Sequence, residues 1–267
     1  MTNCNSNLEE ASLHISKVKL DSGSIILAAD LHLACNQPQA AIHLLMKHSS
    51  VHSHAVSERL LAAYTAKQDW LAVIKTLNSA KSFSNNQLLV AYKQALANYL
   101  GSASVNKQTI SADTVKLWYK LPQWCQQDLT TTKIVISGLI KLGGLKYAQQ
   151  IIEHYCERTA LEEEIIQFYH LTAKKNESAS PLVAKAQKWL AQKPQSAAIM
   201  LCLGHLYAQL EQLVPAKAHA ENSFMLRPQI DSLALYTDIL KATDEEHTAS
   251  EFLTKGIKLL ATAGTDK

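Results

Sequence analysis

Four histidines lie close together near the start of the chain, in the stretch IHLLMKHSSVHSH. They are His43, His48, His52 and His54, and neutral imidazoles are ligands for metal ions and for haem iron. His48 and His52 are four residues apart, so a helix would place both on one face. The intervening serines, and the lack of a carboxylate beside them, instead favour a solvated turn between two helices. The stretch therefore predicts no metal site, and His48 and His52 are the candidate ligands if haem binds.

Two further motifs have residue types that could do chemistry. The run LEEEII, from Leu161 to Ile166, has three adjacent carboxylates. Adjacent helical residues point in different directions, and acids in a first turn interact favourably with the helix dipole, so this run predicts a helix start. The stretch GLIKLGGLK, from Gly138, lacks the ending of a phosphate-binding loop and predicts an interhelical turn. With no nucleophile–base pair, dinucleotide loop or HExxH motif, the sequence predicts no catalytic residue, no resident cofactor and no enzyme activity.

Charge and cysteine usage exclude two other classes of function. The net charge of +3 comes without a dense basic stripe, so nucleic acid is not an expected partner. The five cysteines are odd in number and scattered, which favours a reducing compartment over a disulfide framework or a zinc site. They are Cys4, Cys35, Cys125, Cys156 and Cys202.

The elements that must position any site are helices. In AAIMLCLGHLYAQLEQLVPAKAHAENSFMLRP, residues 197–228, apolar residues recur at three- and four-residue steps on both sides of a short polar turn. Gly204 permits close approach of two helices, and Ala216 and Ala220 present a small face to the first helix. Together with Tyr207 and Pro228, this spacing follows the tetratricopeptide signature. The stretch predicts one helical hairpin of that repeat.

The pattern recurs at the period of about 34 residues that is typical of tetratricopeptide repeats. Residues 129–157, 162–194 and 230–262 each predict a helical pair. Two further pairs are predicted in IILAADLHLACNQPQAAIHLL and SERLLAAYTAKQDWLAVIKTL. The predicted fold is therefore all-α, a right-handed α-solenoid of about six or seven tetratricopeptide-like hairpins.

The chain has no linker rich in proline or glycine, so the sequence predicts no sharp domain boundary. The stretch that contains GSASVNKQTISAD is helical but irregular and is the expected seam. The predicted organisation is a polar N-terminal segment or helix start (1–20), N-terminal repeats (21–83), an irregular helical pair (84–128) and C-terminal repeats (129–263).

Several segments resemble the bacterial HemY family, a tetratricopeptide membrane protein linked to haem biosynthesis. They are AYTAKQDWLAVIKTL, LWYKLPQW, AQKWLAQKP, LCLGHLYAQLEQLVPAKAHAENSFMLRP and FLTKGIKLL, and the resemblance covers roughly residues 22–262. The chain departs from the family where LVPAKA replaces a Trp-Gly pair before Lys-Ala. The two membrane-spanning helices with which the family usually begins are also missing, so the chain resembles the soluble carboxy-terminal region, as a fragment or a shortened relative.

The resemblance implies association with a late step of haem or porphyrin biosynthesis. It implies a repeat domain on the cytoplasmic side of the bacterial inner membrane, with haem-biosynthetic enzymes as protein partners, and it implies no reaction. No apolar run reaches the length of a membrane span, because Asp30 and Lys141 interrupt the candidates. The polar start MTNCNSNLEE is unlike a signal peptide, so this chain is expected to be soluble.

The repeat register also predicts a partner-binding face. If Leu203, Tyr207 and Ala216 pack between helices, His205 and Gln209 point towards the concave surface that the first helices form. The same register in the other hairpins gives a polar strip whose predicted members are Lys133, Ser137, Lys141, His170, His205, Gln209, Asp238 and Lys241. Two functions fit the sequence: a non-catalytic scaffold that binds a protein segment on this face, or a protein of the same pathway that binds or acts on haem or a porphyrin.

Overall fold

A computed structural model describes residues 21–48, 53–80, 83–102, 107–159, 161–173 and 179–263. All regular secondary structure within these ranges is helical, as the sequence predicts. The chain divides into two compact units, and the described residues of the first lie within Met1–Ser104 and Lys120–Cys125. Those of the second lie within Val105–Tyr119 and Gln126–Lys267. The division thus falls inside the stretch 84–128.

The first part of the chain has seven described helices: α1 (Ser22–Ala34), α2 (Pro38–His48), α3 (His54–Ala66), α4 (Trp70–Ser79), α5 (Asn85–Gly101), α6 (Lys107–Lys120) and α7 (Gln123–Gln126). The later part has α8 (Leu129–Lys141), α9 (Leu145–Arg158), α10 (Glu163–Ile166), a 3₁₀-helix (Tyr169–Thr172), α11 (Ala179–Gln192), α12 (Ala197–Gln209), α13 (Leu213–Leu226), α14 (Ile230–Ala242) and α15 (Glu246–Ala263). None of these helices is both long and apolar enough to cross a bilayer.

In the first unit each helix from α1 to α4 packs on the next, and α1 also packs on α3. Contact between successive first helices is the arrangement of stacked tetratricopeptide-like hairpins. Small residues let the helices approach, since Ala29, Ala41 and Ala63 are fully buried in the core that they share with Leu45. The Arg59 guanidinium donates to both carboxylate oxygens of Asp30 at 3.0 Å, which joins α3 to α1 at the edge of this core.

The second unit contains the hairpins α8–α9, α12–α13 and α14–α15, and α12 packs on both α13 and α14. The predicted pair at 162–194 differs, because its first helix is broken into α10 and the 3₁₀-helix. The acidic run does begin a helix, with Glu163 and Glu164 in the first turn of α10. Where the 3₁₀-helix ends, the Thr172 hydroxyl donates to the Tyr169 carbonyl at 2.7 Å.

Five turns within hairpins share one backbone conformation. Each has a residue with positive φ two positions after the last residue of the first helix: Asn36 (56°), Gln68 (57°), Gly143 (76°), Glu211 (59°) and Asp244 (59°). In each turn two backbone N–H groups return to the last turn of that helix, as in the Schellman motif. After α12, for example, Glu211 N donates to Ala208 O at 3.0 Å and Gln212 N to Tyr207 O at 3.0 Å. The same pair of backbone hydrogen bonds therefore closes each of the five turns.

The hairpin α12–α13 confirms the packing predicted for Gly204. A Cβ atom at this position would lie 3.0 Å from Leu235 Cδ2 and 3.4 Å from the Ala220 backbone nitrogen. Leu203, Ala216 and Ala220 are fully buried, so the small residues form the predicted close contact between helices. This contact fixes α12 against both α13 and α14.

Candidate functional site

The residues predicted for the binding face all lie in the second unit. Lys133, Ser137 and Lys141 lie on α8, His170 in the 3₁₀-helix, His205 and Gln209 on α12, and Asp238 and Lys241 on α14. The structure brings three of them together, because His170, His205 and Asp238 line one cleft of about 630 Å³. This volume is within the range of ligand-binding clefts in proteins.

The cleft has two walls and a buried base. One wall is the segment around the 3₁₀-helix, where Phe168 and Leu171 line the opening and Leu171 is 44 % exposed. The other wall is α14, which presents Asp231 and Asp238. Leu201 and Leu235 are the buried members of the lining, and the half-buried His205 from α12 lines the cleft with them. The cleft thus places an apolar wall opposite an acidic one.

His170 and His205 stack face to face inside this cleft. Their ring centroids are 4.1 Å apart and the planes differ by 9°. Burial, and then the neighbouring His205, lower the pKa of His170 to about 3. Burial also lowers the pKa of His205, against the opposing effect of the Asp231 carboxylate. Both imidazoles are therefore neutral at neutral pH, and a stack of neutral rings is favourable where a pair of charged rings is not.

The segment that carries His170 is held from beneath by Tyr169. This side chain is fully buried, and its hydroxyl donates to a Glu153 carboxylate oxygen at 2.6 Å. Its ring centroid is 4.7 Å from that of Trp189, which is also buried. Burial and the hydrogen bond to Glu153 both raise the pKa of the Tyr169 hydroxyl, so it remains a donor at physiological pH. The 3₁₀-helix is thereby fixed to α9 and α11.

Gln209 fastens the same segment from the side of α12. Its amide Nε2 donates to the His170 carbonyl at 3.4 Å. Its Oε1 atom is buried and has no hydrogen-bond partner among the described residues. The sequence predicts Gln209 as a partner contact on the concave surface, and in the structure its amide is bonded to the cleft wall.

The remaining predicted residues lie apart from the cleft lining. Lys133 donates to the Glu164 carboxylate and so joins α8 to α10. Ser137 is half-buried in the middle of α8. Lys141 and Lys241 are exposed in the last turns of α8 and α14, where a cation interacts favourably with the helix dipole.

Sequence reasoning missed much of the cleft lining, including Phe168, Leu171, Asp231 and Ala234. A signal for two of these was present, because Asp231, Ala234 and Asp238 follow heptad-like spacing and share one face of α14. Asp231, Ala234 and Asp238 are all exposed. Neither aspartate forms a salt bridge with any described residue.

A second cavity, of about 580 Å³, is lined by residues of α9, of α11 and of the segments that follow them, among them Lys185, Lys188 and Lys193. Lys185 is already paired there, since its Nζ donates to Glu157 at 2.7 Å. Cys156 also lines this cavity, but burial raises the pKa of its thiol to about 12. The thiol is therefore protonated at neutral pH and is not an activated nucleophile.

The histidine cluster near the start of the chain gives no metal site where it is described. The His48 side chain and the whole of His52 lie outside the described residues, so their candidacy as haem ligands stays a prediction. The His54 ring stacks on Phe83 with centroids 4.5 Å apart. Across the described part of the chain, no three His, Cys, Asp or Glu side chains come together as possible metal ligands.

Comparison with known proteins adds likenesses in fold. No family model matches the chain, and a search of curated proteins finds no match. Among solved structures, MamA from Desulfovibrio magneticus RS-1 matches 65% of this chain and 96% of its own, at 15% identity and a TM-score of 0.43. A chain of the APC/C hetero-tetramer Cut9–Hcn1 matches at 12% identity and a TM-score of 0.42. The match covers 96% of this chain and 57% of that chain.

Human IFIT1, solved as a dimer with m7Gppp-AAAA, matches 96% of this chain and 73% of its own, at 11% identity and a TM-score of 0.41. The class of the protein follows from its own hairpins, which repeat the same turn and the same contact between first helices. The chain is an all-α, tetratricopeptide-like helical repeat protein.

Proposed function

We propose that this protein is a non-catalytic scaffold that binds a segment of a partner protein in the cleft between the 3₁₀-helix and α14. The cleft itself is the observation that supports the proposal. It lies where first helices of neighbouring hairpins face one another, which is the surface on which helical repeat proteins receive extended or helical segments.

The contacts around the cleft support binding rather than catalysis. His170 and His205 stack on each other, and their low pKa values leave little basicity for proton transfer near neutral pH. The two aspartates lie on the opposite wall, seven residues apart along one helix, where they suit recognition of a cation. The walls are fixed by buried contacts, so the cleft is formed before a partner arrives and binding costs little ordering.

The resemblance to the HemY family supports a narrower proposal about context. On that basis the scaffold would serve a late step of haem or porphyrin biosynthesis, on the cytoplasmic side of the bacterial inner membrane. Its partners would be haem-biosynthetic enzymes, which it would hold without taking part in their reactions. Capture from bacterial lysate with the wild-type protein and a cleft-blocked variant, followed by mass spectrometry, tests this context. Retention of a late haem-pathway enzyme by the wild type alone is the expected result, and its absence from both samples removes the haem context.

The cleft-blocked variant is Ala234→Trp. Ala234 is exposed on the wall of the cleft, so an indole there occupies the opening without entering the core. Ala242→Trp is the matched control, because Ala242 is exposed on the same helix and does not line the cleft. Both variants should keep the helical circular dichroism signal and thermal midpoint of the wild type.

The direct test selects peptides from a display library against the whole chain and measures their affinity by calorimetry. Selected peptides should bind at least about tenfold more weakly to Ala234→Trp, since the loss of a buried anchor typically costs more than 1 kcal/mol. Ala242→Trp should leave their affinity within about twofold. A library that yields no binder, or binders that are indifferent to Ala234→Trp, refutes the cleft as the partner site.

A further inference from the structure

We propose that the segment recognised by the cleft is an amphipathic helix with two cationic side chains one heptad apart and an apolar side chain between them. This inference rests on the proposed function and adds the chemistry of the partner. It follows from the charge, the spacing and the apolar surface of the lining, each of which is fixed by neighbouring contacts.

The charge of the cleft is acidic and uncompensated within the described chain. Asp231 and Asp238 are the two residues of the lining that carry charge at neutral pH, because burial keeps His170 and His205 neutral. Both carboxylates are exposed at the rim, and neither has a salt-bridge partner among the described residues. A rim whose charges are all negative attracts a positively charged segment and fixes the register in which it binds.

The spacing of the carboxylates selects a helical partner. Asp231 and Asp238 lie on one face of α14, and seven residues of helix span about 10 Å along its axis. In a second helix that runs alongside, cations at the same interval repeat this distance on one face. An extended segment brings side chains to one face at intervals of about 6.6 Å or 13 Å. Neither interval matches the spacing of about 10 Å between the two carboxylates.

The surface between the carboxylates is shaped for an apolar anchor. Ala234 leaves room on α14 for close approach, and Leu235 and Leu201 lie at the base. Across the opening, Phe168 and the partly exposed Leu171 complete the apolar lining. That wall is held by buried Tyr169, so an apolar side chain entering here displaces water from a preformed surface.

The test uses three synthetic helical peptides of about 18 residues, a length at which alanine-rich sequences are substantially helical. The probe carries two arginines one heptad apart with leucines midway between them. The register control has the same composition, with the second arginine moved two positions towards the first. The charge control replaces both arginines with glutamate. Affinity is measured by calorimetry or fluorescence anisotropy at low and moderate salt.

The probe should bind the wild type and lose affinity as salt rises, while both control peptides bind at least about fivefold more weakly. Asp231→Asn and Asp238→Asn should each weaken the probe about threefold to fivefold, as expected for one exposed ion pair. Asp244→Asn is the matched control, since Asp244 is exposed just beyond α14 and asparagine tolerates its positive φ. It should leave affinity within about twofold.

Equal binding of the probe and charge control, or indifference to both cleft aspartates, overturns the cationic assignment. Equal binding of the register control overturns the helical spacing. If none of these peptides binds but library-selected peptides of other composition are lost on Ala234→Trp, this inference fails and the proposed function stands. If the cleft instead mediates dimerisation that Ala234→Trp abolishes, the occupant is a second copy and the inference also fails.

Discussion

Replacement of His170 by phenylalanine should flatten the dependence of folding stability on pH. The ring would still stack on His205, but it could no longer take up a proton. In the wild type the pKa of His170 is about 3 when folded, because burial and His205 disfavour the imidazolium. An unfolded histidine titrates near pH 6.5. The unfolded chain therefore binds more protons below pH 6.5, and the stability that neutral His170 allows is lost as the pH falls from 6.5 towards 3.

The size of this effect follows from the two pKa values. At pH 5 an unfolded imidazole is almost fully protonated and a folded one with a pKa of about 3 is almost fully neutral. This difference in protonation lowers the stability of the folded state by about 2 kcal/mol at pH 5 and by only about 0.2 kcal/mol at pH 7. On acidification from pH 7 to pH 5, His170→Phe should therefore lose about 2 kcal/mol less stability than the wild type, whatever its stability at pH 7.

Urea denaturation at several pH values measures this slope, and the NMR titration of the His170 imidazole protons measures the folded pKa directly. His247→Gln is the control, because the His247 side chain is 90% exposed and is solvated in both the folded and unfolded chain. It should keep the wild-type slope. A His170 titration midpoint near pH 6.5, or a His170→Phe slope equal to that of the wild type, would refute the buried neutral stack.

Two further predictions concern the hairpin α12–α13. Gly204→Leu should lower stability by about 1–3 kcal/mol, because even a Cβ at this position would lie 3.0 Å from Leu235 Cδ2. An unchanged thermal midpoint would show that this contact is not tight. Glu211→Val should cost about 1–2 kcal/mol in urea denaturation, because a β-branched residue is strained at the φ of 59° in this turn. Glu211→Gly should cost nothing beyond the greater freedom of glycine in the unfolded chain, so equal losses in the two variants would contradict the strain argument.

The hairpin at 197–228 could be predicted from sequence because its determinants are local. Gly204, Ala216 and Ala220 follow a spacing that only a close pair of helices explains, and the structure confirms that contact. The break between α10 and the 3₁₀-helix could not be predicted in this way. Ile165, Ile166 and Tyr169 are buried at helical spacing, so the apolar pattern is the same whether or not the helix is continuous.

Gln167 and Phe168, which lie at that break, line the cleft, so only part of the cleft could be predicted. His170 and His205 are 35 positions apart, about one repeat, and the repeat register placed both on the same face. The register places these residues on the concave surface, but it does not encode that the two rings stack or that Gln209 bonds to the wall. Burial of a polar side chain depends on the path of a neighbouring segment, which periodicity does not encode. The domain limits, the haem context and the role of the strip residues in partner binding stay predictions.

The five left-handed turns have a consequence for how such a chain can change during evolution. Asn36, Gln68, Gly143, Glu211 and Asp244 represent five different residue types in one backbone conformation. The turn is closed by main-chain hydrogen bonds, so selection can preserve its shape while the side chain drifts. The amino-acid sequences of duplicated hairpins can then diverge until they no longer align, although the helices still stack in the same order. The main-chain torsion angles of the turns therefore identify the related repeats of this protein better than the residue types do.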